Sequence, residues 1–115
     1  MVARAYVPER GDVVWVDLNP TKGHEQAEHR PAVVLSPHTY NAKTHLVLVC
    51  PITSHIKGYP FEVVCTGKKI SGAILSDQIR SIDWHARNVR FIEKATSVVV
   101  HEVLEKVRLL LAVAP

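Results

Sequence analysis

Short runs of Val, Leu and aromatic residues recur through most of the chain and limit its fold more than any other feature. The clearest runs cover residues 12–18, 32–36, 46–52 and 61–65, each bounded by Gly, Pro or Asn, and weaker ones lie around 73–75, 78–82 and 89–92. Runs of this length and composition predict β-strands. Residues 13–16 are apolar without alternation, which indicates a strand covered on both faces and favours a curled sheet or partial barrel.

One amphipathic helix is predicted at the C-terminus. Apolar residues recur there at spacings of three and four, on the positions Val100, Val103, Leu104, Val107, Leu110 and Leu111. Glu102 and Lys106 stand one turn apart on the other side, a spacing that favours an ion pair. The sequence therefore predicts a mainly β fold with a C-terminal helix. Because no linker or repeat divides the 115 residues, we expect one domain over residues 1–115.

Composition narrows the class of protein without fixing a function. The net charge of +3 agrees with a phosphate-bearing partner, but it agrees equally well with a surface that is merely basic. Cys50 and Cys65 each stand inside an apolar run, which is typical of buried free thiols rather than of a metal site or a disulfide. No apolar segment approaches the roughly 18 residues of a membrane span, and no signal peptide is evident, so we expect a cytoplasmic protein.

The polar segment between the first two predicted strands is the first candidate for a functional site. Residues 19–30 carry His24, Glu25, His29 and Arg30, and long loops on a rigid sheet often hold binding groups. A zinc-protease motif needs two His four residues apart on a helix, whereas His24 and His29 are five apart in a stretch that contains Gly23. We therefore predict no catalytic metal and no cofactor.

These residue types suit the cleavage of RNA, which carries its own nucleophile in the 2′-hydroxyl group. An enzyme must then move protons, for which Glu25 or a His is suitable, and stabilise charge on phosphoryl oxygens, for which Arg30 is suitable. From composition alone, a surface ion pair of Arg30 with Glu25 or Glu28 is the more common explanation. Thr53 ends an apolar run, so its hydroxyl group could reach a phosphate or simply satisfy a turn.

Other residues are open to two interpretations. Trp15 could belong to the core or could stack on a base, an interaction worth about 1–3 kcal/mol per base. Several basic side chains could line a nucleic-acid groove or could simply be solvated; they are Lys57, Lys68, Lys69, Arg80, Arg87 and Arg90.

Several stretches resemble the MazF/PemK toxins of type II toxin–antitoxin systems. The most specific are the pattern Gly-x-Glu-Gln-x-x-x-Arg-Pro at residues 23–31 and Lys-Gly-Tyr-Pro-Phe at residues 57–61. Residues 17–27, 29–36 and 77–82 continue the resemblance, which weakens only in the last 25 or so residues. The resemblance implies a small antiparallel SH3-like barrel or twisted sheet with short helices, of the CcdB/PemK kind, paired as a homodimer. It implies a sequence-specific endoribonuclease that cuts single-stranded RNA, leaves a 2′,3′-cyclic phosphate and a 5′-hydroxyl, and is neutralised by an acidic antitoxin of the MazE kind.

The resemblance also assigns roles to residues. Arg30 and Thr53 match the catalytic pair of the family, and Glu25 matches a residue needed for activity. The residues expected in or near the RNA groove are Trp15, Lys57, Gln78 and His29. Glu28 departs from the family, because a relative has Gly at this place, and the extra carboxylate adds negative charge beside the expected phosphate site.

Two other functions remain open from the sequence. CcdB-type toxins share the fold but bind DNA gyrase and cut nothing; their relatives use a Trp near the C-terminus, whereas the last Trp here is Trp84. A protein that binds single-stranded nucleic acid without cleaving it is the second alternative. Incubation with a long RNA in EDTA separates the three, since only the nuclease yields discrete fragments.

Overall fold

A computed structural model describes residues 5–18 and 29–113. Seven strands and two helices follow one another as β1 Asp12–Asp17, β2 His29–Val34, α1 His38–Thr44, β3 Leu46–Thr53, β4 Glu62–Thr66, β5 Ser71–Leu75, β6 Arg80–Asp83, β7 Arg90–Lys94 and α2 Ser97–Leu111. All of the strand pairs are antiparallel. The predicted mainly β fold with a C-terminal helix is confirmed.

Strand β3 organises the sheet. The strand order is β4-β5-β3-β2-β1-β7, and β6 pairs with β3 outside this path. One edge of β3 contacts β2, while the other contacts β6 at residues 46–49 and β5 at Ile52 and Thr53. Two strands therefore pair with this edge in succession. The first residues of β3 pair with β6, whereas its last residues pair with β5, which in turn pairs with β4.

Apolar residues are buried on both faces of the sheet. On one face Val13, Val33, Cys50 and Ile74 pack with Val103 and Val107 of α2 in a single cluster. On the other face Val14, Val16, Val34, Val49 and Trp84 form a second cluster. Successive residues of β1 thus enter different clusters, which explains the apolar run without alternation and confirms that this strand is covered on both sides.

Helix α2 packs on the core through only part of its apolar face. Its N-cap residue Thr96 accepts a hydrogen bond from the Val99 amide at 3.3 Å, and Val100, Val103 and Val107 are buried. Leu110 and Leu111, which continue the apolar spacing, are 47 % and 77 % exposed in the described chain. The expected Glu102–Lys106 pair is wrong, because the Lys106 ammonium group donates to the Pro60 carbonyl at 2.7 Å.

Helix α1 was not predicted, because a polar residue anchors it. Asn41 is fully buried; its amide donates to the carbonyls of Pro8 and Ser36 at 2.8 and 3.1 Å and accepts from the Ser36 hydroxyl at 2.6 Å. Without an apolar stripe, this helix gives no periodic signal.

Two further sequence expectations concern the cysteines and membrane spans. Cys50 and Cys65 are buried free thiols, as predicted, and burial raises the pKa of the Cys50 thiol to about 12. Neither described helix is long and apolar enough to cross a membrane.

Candidate functional site

A polar cleft lies where β2 begins and β3 ends. The register of these strands pairs Ala32 with Pro51, and its extension by two residues sets Arg30 opposite Thr53. Both residues are half-buried and line one cleft of about 360 Å³. Its polar lining also includes Ser54, Lys69 and Ser71, while Pro31, Ile52 and Ile70 form the apolar walls. The structure therefore brings together the two residues that the sequence proposed as a catalytic pair.

The Thr53 hydroxyl group already has one role in the fold. Its oxygen accepts a hydrogen bond from the His55 amide at 3.0 Å, which fixes the turn after β3. A hydroxyl group that accepts one bond keeps its own hydrogen for donation. The two interpretations of Thr53 are therefore compatible, since the turn orients a group that can still donate to a phosphate in the cleft.

A second cluster lies on the neighbouring strands β1, β2 and β7. The His29 ring stacks on Trp15, with centroids 5.1 Å apart and planes 16° from parallel. His29 Nδ1 lies 3.0 Å from Asp17 Oδ1, and His29 Nε2 lies 3.4 Å from Arg90 Nη2. Because Arg90 can only donate, Nε2 is the acceptor and Nδ1 carries the hydrogen donated to Asp17. This network fixes the exposed His29 ring as a flat extension of Trp15.

Lys57 and Gln78 lie in two exposed turns that contact each other. The carboxylate of Glu62, a residue only 9 % exposed, accepts from the Lys57 amide at 3.1 Å and from the Gly58 amide at 2.7 Å. The Tyr59 hydroxyl donates to Asp77 Oδ1 at 2.5 Å, next to Gln78. This hydrogen bond raises the pKa of Tyr59 to about 12, because the carboxylate favours the protonated phenol.

Two further cations contact the backbone at the end of β1. Arg80 Nη2 and Arg87 Nη1 donate to the Leu18 carbonyl at 3.4 and 3.1 Å, and Arg87 also donates to the Asp17 carbonyl. Glu25 and His24 lie outside the described residues. Within residues 5–18 and 29–113, no three His, Cys, Asp or Glu side chains gather in a group that could hold a metal ion.

The structure adds Lys69, Ser54 and Ser71 to the cleft and Asp17 and Arg90 to the His29 cluster. From the sequence, Lys69 and Arg90 are only possible groove residues, because the pairing of β3 with β5 and of β1 with β7 is a property of the tertiary fold.

Comparison with known proteins decides the family. Residues 9–111 match the family model described as PemK-like, MazF-like toxin of type II toxin-antitoxin system. This chain belongs to that toxin family. The family predicted from residues 17–27, 29–36, 57–64 and 77–82 is therefore confirmed.

Several relatives of this MazF-like chain are named as endoribonucleases or as MazF. It is 60 % identical over 87 residues to the endoribonuclease toxin MazF of Escherichia coli K12, covering 76 % of this chain and 78 % of that protein. It is 33 % identical over 116 residues to the endoribonuclease PemK of Escherichia coli, covering 96 % and 87 %. The crystal structure of MazF from Deinococcus radiodurans matches with a TM-score of 0.84 at 45 % identity, over 93 % of this chain and 98 % of that one. A MazE–MazF structure from the same organism gives a TM-score of 0.84 at 40 % identity, over 96 % and 100 %.

Proposed function

We propose that this MazF-like toxin cuts single-stranded RNA at a phosphodiester held between Arg30 and Thr53. The observation that supports this most directly is the shared cleft of these two side chains at the ends of β2 and β3. Relatives of this chain are endoribonucleases, which supports the class of reaction. The product ends are a 2′,3′-cyclic phosphate and a 5′-hydroxyl.

The reaction joins the ribose 2′-oxygen to the adjacent phosphorus and breaks the bond to the 5′-oxygen of the next nucleotide. The proton of the 2′-hydroxyl passes to a base on the enzyme, and the 5′-oxygen receives a proton as it leaves. The planar fork of Arg30 suits two non-bridging phosphoryl oxygens, and Thr53 donates a further hydrogen bond. Glu25, which lies outside the described residues, is proposed for one of the two proton transfers.

In this proposal, the neighbouring side-chain clusters bind the rest of the RNA strand. The His29 ring, which is exposed and stacked on Trp15, offers a flat surface on which a base can stack. Lys57 and Gln78 are proposed to contact the RNA strand beyond it. We expect a homodimer that acts in the cytoplasm on messenger RNA. The solved MazE–MazF complexes of relatives support an antitoxin of the MazE kind as its partner, with an acidic segment that competes for the basic groove.

A substrate that lacks one hydroxyl group tests the chemistry. We expect discrete cuts in a long RNA in the presence of EDTA, because the RNA supplies its own nucleophile. Replacing the nucleotide on the 5′ side of the cut by its 2′-deoxy form should abolish cleavage and leave binding nearly unchanged. Continued cleavage of this substrate rules out the proposed mechanism. RNA that is bound but intact favours the non-cleaving binder, and no effect on RNA reopens the gyrase-binding alternative.

A further inference from the structure

A second cation stands in the cleft, on the side of Thr53 away from Arg30. Strand β3 lies between β2 and β5 in the sheet, so Thr53 at its end has β2 on one side and β5 on the other. Arg30 comes from β2, and Lys69 comes from the turn immediately before β5. Both residues line the same cleft. A strand of RNA with its reacting phosphate at Thr53 and Arg30 would therefore meet Lys69 at a neighbouring position.

The turn that carries Lys69 is clamped by Glu93 of β7. One carboxylate oxygen of Glu93 accepts from the Lys68 amide at 3.1 Å, the other accepts from the Ile70 amide at 2.9 Å, and the Lys69 amide lies 3.2–3.3 Å from both. Hydrogen bonds from these amides, with that of Ile70 the strongest, lower the pKa of Glu93. The clamp therefore remains ionised near neutral pH.

Gly67 and Ile70 also hold this turn in place. The Gly67 amide donates to the Ile70 carbonyl at 2.9 Å, and a Cβ atom on Gly67 would lie 2.3 Å from Glu93 Oε2. Ile70 packs against the core cluster shared by the sheet and α2. Lys69 thus projects from a backbone held by the core, by Gly67 and by Glu93. Because this backbone is already constrained, less conformational freedom is lost when Lys69 binds a ligand.

We infer that Lys69 binds a phosphate next to the scissile one, and that Glu93 is the positioning residue that holds Lys69 at the cleft. This inference rests on the proposed endoribonuclease function. Lys68 provides the contrast, because it has the same charge, lies in the same turn and is not part of the cleft lining. Lys69 contributes binding rather than chemistry, since the phosphate it contacts carries the same charge before and during the reaction.

The first test compares Lys69→Gln with Lys68→Gln in binding and single-turnover cleavage of a short single-stranded RNA. One phosphate contact contributes a log–log salt slope of about 0.7, which corresponds to roughly fivefold in affinity at 0.1 M salt. We expect Lys69→Gln to lose about that much, to flatten the slope by about 0.7, and to leave the saturated cleavage rate within about threefold. Lys68→Gln should change affinity less than about twofold, and Lys69→Arg should restore binding. Equal effects of the two Gln variants overturn the inference.

The second test asks whether Glu93 positions Lys69, and it uses the direction of the change in RNA affinity. Glu93→Gln removes a negative charge beside the cleft, which by itself would strengthen RNA binding. We expect weaker binding instead, because the loosened turn no longer presents Lys69, and no further loss when Glu93→Gln is added to Lys69→Gln. Binding by Glu93→Gln at or above the wild-type level overturns the positioning role, as does additivity of the two changes.

The third test locates the phosphate. A single uncharged methylphosphonate is placed in turn at each linkage that flanks the cut. The penalty of Lys69→Gln should vanish at one linkage only, because the residue then has no charge to contact. A penalty that is the same at every linkage overturns the inference. Failure of the wild-type protein to cut the unmodified RNA contradicts the proposed function itself and is seen before any variant is compared.

Discussion

Arg30 illustrates how far single residues can be interpreted before the fold is known. Composition favoured a surface ion pair for this side chain, and only the resemblance to MazF-like toxins favoured catalysis. The structure places Arg30 half-buried in the cleft that contains Thr53. Its role in cleavage stays a prediction, which the chemistry of the guanidinium group makes testable.

The substitution Arg30→Lys distinguishes a catalytic role of the guanidinium group from the effect of its positive charge alone. Lys keeps the positive charge but loses the second aligned donor, and loss of one well-placed oxyanion donor costs about 10²–10³ in rate. We expect a single-turnover cleavage rate reduced by that factor, RNA affinity within about tenfold of wild type, and little change in the thermal midpoint. Arg108→Lys, on the exposed face of α2, is the matched control and should cut normally. Near-wild-type cleavage by Arg30→Lys would contradict the catalytic assignment, and a lower thermal midpoint with full activity would identify a structural arginine.

At the scale of elements, the contact between β3 and β5 sets the position of Thr53. Gly72 of β5 packs so closely on β3 that a Cβ atom would lie 2.3 Å from the Thr53 carbonyl oxygen. Thr53 pairs directly with Ala73, the next residue of β5. The position of the Thr53 backbone therefore requires a glycine, which has no side chain, at residue 72 of the neighbouring strand.

Gly72→Ala should damage stability and cleavage together. The added methyl group must push β3 and β5 apart, and overpacking of this kind costs about 1–3 kcal/mol in free energy of unfolding. Because the displaced atoms belong to Thr53, we expect the folded fraction of the variant to cut RNA more slowly than wild type. Denaturant unfolding and cleavage per folded molecule measure the two effects. A variant of unchanged stability and full activity would show that the two strands do not pack as described.

The turn after β3 depends on a buried carboxylate. Oε1 of Glu62 accepts from both the Lys57 and the Gly58 amide, and Oε2 accepts from the Lys57 amide. Glu62→Gln leaves one acceptor oxygen for both amides, removes the negative charge and sets a donor against the Lys57 amide. We expect a loss of about 1–3 kcal/mol in free energy of unfolding and faster hydrogen exchange at both amides. Glu102→Gln, at an exposed position of α2, is the control and should alter neither. Unchanged exchange at Lys57 and Gly58 would contradict the role given to Glu62.

At the scale of the whole molecule, the end of α2 exposes apolar surface. Leu109, Leu110, Leu111 and Val113 are 63 %, 47 %, 77 % and 94 % exposed in a chain of 115 residues. Large exposed apolar patches commonly mark a contact with another chain. The homodimer stays a prediction, and we expect the partner subunit to cover the end of α2 in it.

We expect the protein to sediment as a dimer at micromolar concentration. Replacing both Leu110 and Leu111 by Glu should shift it towards monomer, because two carboxylates would have to be buried in the contact. Val98→Glu, a change of the same kind at the opposite end of α2, should leave the dimer intact. A wild-type protein that is monomeric at this concentration would contradict the prediction, and an unaffected dimer of the double variant would place the contact elsewhere.

The sequence predicted those features that depend on local patterns. Apolar runs gave the strands, three- and four-residue spacing gave α2, and the pattern at residues 23–31 gave the family. The pattern failed for α1, because buried Asn41 holds that helix through hydrogen bonds to Pro8 and Ser36, residues that no periodicity connects. The pattern also does not show that Leu110 and Leu111 are exposed, because spacing defines a face of a helix but not how far its neighbours extend.

The sequence by itself determined which residue types the site could use: a guanidinium at Arg30, a hydroxyl at Thr53 and a carboxylate at Glu25. Only the tertiary structure decided which of the scattered cations joins them. Lys68 and Lys69 are equivalent in the sequence, yet Lys69 alone lines the cleft, since the pairing of β3 with β5 sets the turn beside Thr53 and Glu93 fixes its backbone. Side-chain chemistry is a local property, whereas proximity between residues far apart in the chain arises from strand order and register.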